Sequence, residues 1–180
     1  MPEYYIYLIS SLPMLHFGAK TPFSSEEFID KCRGLIPDNK INILKGILNF
    51  PAHPQDIAEP VLKKWREFET ALRNEFVKVR AGRKKTDPLR YLREGVYPWP
   101  HFSRTAFNVY RNPSISEGEK ILDKERWDFL DEIAKGHYFD FDFLIVYACK
   151  LSILEKWERI RKADKAKLLE GALREEENKG

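Results

Sequence analysis

Six large apolar residues constrain the fold of this chain more than any other feature. Val61, Trp65, Phe68, Leu72, Phe76 and Val79 recur at steps of four, three, four, four and three. At about 100° per residue they fall within an arc of roughly 80°. The spacing predicts a long amphipathic helix, with Pro60 in its first turn and Gly82 at its C-cap. So broad an apolar stripe has to be buried, and the rest of the chain reads as further helices that could cover it.

Ser24 and Glu27 have the spacing of a capping box, in which each side chain satisfies a free amide of the first turn. The helix they open carries Phe28, Ile29 and Cys32 and stops at Gly34. Asp38 caps a second helix through Ile41, Leu44, Ile47 and Leu48, ahead of a proline-bearing turn at 51–56. Thr86 or Asp87 can cap a short helix with Pro88 in its first turn. Ser114 with Glu117, and Ser116 with Glu119, match capping boxes before a helix through Ile121, Trp127, Leu130 and Ala134, stopped by Gly136. Asp140 caps a long helix predicted to reach Ile160, with Ser152, Glu155 and Glu158 marking its wet face. A weaker helix from Lys165 carries Leu168, Leu169, Ala172 and Leu173.

Two segments are ambiguous. Residues 101–111 fit no single class. Residues 4–9, YYIYLI, are aromatic and β-branched, so local propensity favours a short strand, with a buried helical turn as the alternative. Pro13 ends the segment in either case. The fold expected is all-α, a multi-helix bundle with at most a short N-terminal strand or extended segment. GVYPWP at 95–100 is the best boundary between two helical lobes, 1–95 and 96–180, unless the chain forms one continuous domain.

Charged residues reach 33%, which suits long helices with solvated outer faces, and the net charge of +3 permits an anionic partner without demanding one. No apolar run approaches the ~20 residues that span a bilayer. The opening MPEYYIYLISSLP has no basic stretch before its apolar one, so a secretory signal is not expected. Cys32 and Cys149 lie far apart with no CxxC pair, and read as two reduced, packed thiols. A cytoplasmic protein is expected, peripheral to the membrane at most.

No chemistry announces itself. His16, His53, His101 and His137 are scattered, without metal-ligand spacing, and read as loop or surface residues. Neither a dinucleotide fingerprint, a Walker loop nor a nucleophile elbow is present, so no catalytic residue, cofactor or metal is assigned. The acidic FDFDF at 139–143 raises a metal site. Two carboxylates two residues apart on a starting helix point to different faces, however, and helix capping explains them more cheaply.

Two features point to a partner. Between Lys78 and Arg93 stand seven cations and one acid, Asp87, with Tyr91, Trp99 and Phe102 close by. Arg80, Arg83, Lys84, Lys85, Arg90 and Arg93 are the candidate contact residues. Cations interleaved with aromatics suit nucleic acid, with charge for phosphates and rings for bases, but a protein-binding or solvated basic loop is the simpler reading. Lys150 is the other feature. It falls in the middle of the apolar face made by Phe143, Val146, Tyr147, Leu151, Leu154 and Trp157. Its ammonium needs an internal carboxylate, a route to solvent, or a partner that pairs with it.

YYIYLISSLPMLHFG at 4–18, followed by TPFSSEEFIDKC at 21–32, resembles the opening of a bacterial family of unknown function whose genes typically lie inside V-type ATPase operons. YFDFDFLIVYACKLSILEKWERI at 138–160 resembles that family's closing helix, with its pattern of Tyr147, Lys150, Leu151 and Trp157. The resemblance implies a context similar to that of the ATPase's C subunit, the adapter between the central axle and the membrane ring. It implies V-type ATPase subunits as partners and carries over no catalytic residue. Family members are longer through the middle, which this chain largely lacks. The expected function is therefore a non-catalytic accessory or stalk adapter. A small nucleic-acid-binding module using residues 78–102 is the first alternative, and an enzyme with an unrecognised site the second.

Overall fold

The structure, a computed structural model, describes residues 5–49, 59–93 and 101–177, with side chains described except at Asn49 and beyond Ala166. It is all-α. Among the described residues the elements are α1 (Ile6–Ser11), α2 (Ser25–Cys32), α3 (Asp38–Asn49), α4 (Pro60–Lys84), a 3-10 turn (Pro88–Tyr91), α5 (Phe102–Arg111), α6 (Ile115–Ile133) and α7 (Phe141–Glu177). The turn at 51–56 and the break at 95–100 lie outside the described residues.

The capping signals act as their chemistry requires. Ser24 and Glu27 make both halves of the box, at 3.2 and 3.3 Å. Ser114 accepts from the Glu117 amide at 3.2 Å, and Asp87 accepts from the Leu89 amide at 3.0 Å. Asp140 accepts from the Phe143 amide at 3.0 Å and opens α7. Asp38 differs: it sits inside the first turn of α3 rather than capping it.

Four boundaries depart from expectation. The N-terminal segment is helical, not a strand. Tyr5, Leu8 and Ile9 are buried while Ile6 and Tyr7 are exposed, which is a helical face rather than an alternation. No strand exists among the described residues to pair with it, so β-propensity had nothing to act on. The ambiguous 101–111 segment is α5. α4 runs straight through Gly82 and ends at Lys85, a left-handed C-cap with φ 50°. α7 does not stop at Ile160 but continues as one helix to Glu177.

One core joins both halves of the chain. Val61, Trp65, Phe68 and Leu72 of the stripe are buried, with Phe76 packed partly against them. Phe68 stacks on Phe129 of α6 at 4.2 Å between ring centres and meets Phe102 of α5 edge-on at 5.0 Å. α7 forms the central rod. Leu144 to Cys149 are all buried, as a segment apolar on every side must be. Both cysteines are free and buried, and burial pushes the Cys32 thiol up to about 11 and the Cys149 thiol up to about 12. No helix of the described residues is long and apolar enough to cross a membrane.

Candidate functional site

The polar residues sort into three places: a clasp along α7, a buried ionic junction beside it, and the exposed end of α4.

The clasp uses the face of α7 marked by Ser152, Glu155 and Glu158, which the sequence pattern assigns to solvent. It is half-buried instead, and covered at Glu155 and Glu158. Glu155 accepts from the Ser25 amide at 2.6 Å and from the Ser25 hydroxyl. Glu158 takes a longer contact from the Thr21 hydroxyl at 3.5 Å. Tyr147 donates its hydroxyl to the Pro13 carbonyl at 2.9 Å, and burial raises the phenol's pKa. Phe23, Phe28 and Tyr147 stack on one another as a three-ring cluster, and Phe17 meets Trp127 edge-on. The loop between α1 and α2 has no regular backbone pairing of its own, so these side-chain contacts position it.

The junction lies on the other side of α7. Asp123 of α6 is 1% exposed. It accepts from Arg126 Nη1 at 2.9 Å, Lys156 Nζ at 2.8 Å and Trp157 Nε1 at 2.8 Å. Arg126 also forks onto Glu69 of α4 at 2.6 and 3.2 Å, and Lys156 reaches Glu119 at 2.7 Å. Burial alone opposes the Arg126 charge, but Glu69 and then Asp123 outweigh it and raise the guanidinium's pKa. The residue types are those of a structural lock between α4, α6 and α7. The sequence contained a signal for it. Asp123 stands on the stripe of Trp127, Leu130 and Ala134, at steps of four, three and four, where an acid needs partners.

Lys150 belongs with this region. Its ammonium lies 2.5 Å from Asp131 and 5.1 Å from the centre of the Trp127 ring. Its charge is thus satisfied within the chain, by a carboxylate that is itself half exposed to solvent.

At the start of α7, Asp140 and Asp142 do not diverge. Asp140 precedes the helix, so the helical angle between positions two apart does not apply, and both carboxylates face His137. His137 Nδ1 is 2.6 Å from Asp140 and 3.6 Å from Asp142. Ligand atoms of the three lie within 4.8 Å of one another, a set that could hold a cation by type. Asp140 is already engaged by the Phe143 amide and by His137, however, which accounts for its position. Asp142 Oδ1 is buried without a hydrogen-bond partner, and burial raises that carboxyl's pKa.

The end of α4 is different in kind. Arg80, Arg83, Lys84, Lys85, Arg90 and Arg93 are all exposed. Arg83 turns toward α5, bonding the Tyr110 hydroxyl and lying over its ring. Asn74 ties the backbone of Arg93 to α4 by two bonds, at 2.9 and 3.1 Å, and so folds the 3-10 turn back along the helix. Of the three aromatics near this segment, Phe102 is 0% exposed in the core, Tyr91 is 62% exposed, and Trp99 lies outside the described residues.

The comparisons with known proteins bear on the last three helices. A family model matches residues 101–172. Its description is protein of unknown function (DUF2764). The matched stretch covers α5, α6 and most of α7, and therefore Asp123, Arg126, Lys150, Lys156 and Trp157 together. No curated protein and no solved structure matches the chain.

Proposed function

We propose that this chain is a non-catalytic adapter that works by protein–protein contacts, as an accessory or central-stalk component of a bacterial V-type ATPase, in a role like that of the C subunit. The observation that carries the reading is the clasp. Residues 4–32 and 138–160, the two segments that resemble the operon family, are distant in sequence, yet they pack on one another through Tyr147–Pro13 and Glu155–Ser25. The resemblance thus falls on one coherent unit rather than on two unrelated helices. A rod with a locked core and cations displayed at one end has the parts an adapter needs.

Capture from the native cell tests it. The tagged chain is expected to retain V-type ATPase subunits, identified by mass. Capture of none of them overturns the assignment.

A nucleic-acid module remains the second reading, because the cations of residues 80–93 are exposed. The burial of Phe102 removes one of the rings that it would stack on bases.

A further inference from the structure

We infer that the end of α4, with the 3-10 turn behind it, is a docking surface for an acidic protein segment that carries an apolar anchor. The inference deepens the adapter reading and takes from it that the partner is a protein.

The first observation is unpaired charge. Some cations of this chain sit on carboxylates, as Lys124 does on Asp128, Lys135 on Glu132, Lys150 on Asp131 and Lys156 on Asp123. Others, such as Lys63 and Arg104, stand singly without one among the described residues; the end of α4 differs in gathering its unpaired cations into one short stretch. Arg80, Lys84, Lys85, Arg90 and Arg93 have no carboxylate within ion-pair distance among the described residues. Asp87, the acid of this segment among the described residues, is turned to the Leu89 amide. Such a surface attracts negative charge from a distance and leaves it to be neutralised on contact.

Strain is the second. Lys85 holds φ 50°, the left-handed region in which a side chain crowds the following carbonyl and glycine does not. A lysine stands where glycine would fit the helix end with less strain, and its charge extends the cationic rim. Backbone strain kept at an exposed position is a pointer to function.

Apolar exposure is the third, and it selects the partner. Leu89 is 74% exposed and Tyr91 62% exposed, side by side with Arg90 on a turn that Asn74 and Asp87 hold rigid. An apolar centre inside a charged rim is the anatomy of a protein interface. On this turn, stacking on bases would draw on Tyr91 alone, whereas an apolar anchor of a protein segment would use Leu89 and Tyr91 together. A rigid turn also loses little freedom when it binds, which favours affinity.

The test titrates the full chain with three probes. These are a peptide of mixed leucine and glutamate, a polyglutamate of equal length, and a short oligothymidylate. The mixed peptide is expected to bind best, and more weakly as salt rises. Replacing Lys84, Lys85 and Arg90 together by Ala should weaken it about ten-fold or more. Leu89→Ser should weaken the mixed peptide several-fold and leave polyglutamate unchanged. Lys85→Gly should weaken binding while the melting temperature holds or rises, which separates lost charge from lost fold. No binding of the mixed peptide, equal affinity in the triple variant, or tighter binding of oligothymidylate overturns the inference. Native-cell capture separates the two proposals. If the triple variant retains ATPase subunits as well as the unaltered chain, the adapter reading stands and this surface is not its contact. If the unaltered chain captures none yet binds the mixed peptide through Leu89 and the cations, the surface stands and the ATPase does not.

Discussion

At the junction of α4, α6 and α7, Asp123 collects three donors, Arg126 grips Glu69, and even Lys150 finds Asp131. At the end of α4 and on the 3-10 turn behind it, which Asn74 and Asp87 hold, five cations face solvent with no carboxylate beside them among the described residues. The two regions differ in what their charges do. In the first, charges are turned inward and join helices, because a buried ion left alone costs more than any contact it could make outside. In the second, uncharged or acid groups set the backbone and the cations are left over. Charged residues that hold a fold and charged residues that present it can thus be told apart by partner and burial, not by residue type.

The largest effect should come from breaking the buried side of this contrast. Asp123→Ala removes the shared acceptor, leaves Trp157 Nε1 without a partner and Arg126 and Lys156 with Glu69 and Glu119 alone, and should cost about 2–3 kcal/mol. A urea titration measures it. A loss under about 1 kcal/mol would mean that solvent reaches these donors and that the junction is no lock.

Glu155→Ala opens the clasp. Its carboxylate accepts two bonds from Ser25, so the expected cost is about 1–2 kcal/mol, with residues 12–25 becoming susceptible to limited proteolysis before the rest of the chain. Simultaneous cleavage everywhere would show that the N-terminal segment and α7 do not part separately.

Local chemistry made much of this fold legible, and non-local chemistry hid the rest. The Ser24–Glu27 box, the Asp140 cap and the Val61–Val79 stripe each involve residues within a few turns of one another, where spacing alone determines who meets whom. Ser25 and Glu155 are separated by 130 positions, and Trp157 and Asp123 by 34, so no spacing rule could pair them. The wet face assigned to α7 followed from its polar residues, but polarity cannot tell water from the first turn of another helix, which is where Ser25 stands. The strand favoured for residues 4–9 failed because aromatic and β-branched residues prefer a sheet only when a sheet is there to receive them. The exposed cations of residues 80–93 were readable in advance. Their lack of carboxylate partners and the burial of Phe102 were not.

Lys150→Met sharpens the boundary between the two regions. Its partner Asp131 is half exposed, so the pair and its Trp127 contact should be worth about 0.5–1 kcal/mol. Stability should fall by that amount in denaturant, while capture of the proposed ATPase partner is unchanged from that of the unaltered chain. The reverse pattern, with stability kept and capture lost, would move Lys150 to the presenting class.

The smallest effect belongs to the exposed end. Replacing Lys84, Lys85 and Arg90 together by Ala should change stability by no more than about 0.5 kcal/mol, since none of the three holds another element in place. A much larger loss in the same titration would make this region part of the fold's framework.

Amide hydrogen exchange of the full chain, alone and with its captured partner, tests the presenting role most directly. The account predicts slowed exchange concentrated in residues 81–93, with the α6–α7 junction equally protected in both states. Protection that appears on α6 and α7 instead, with residues 81–93 unchanged, would contradict it.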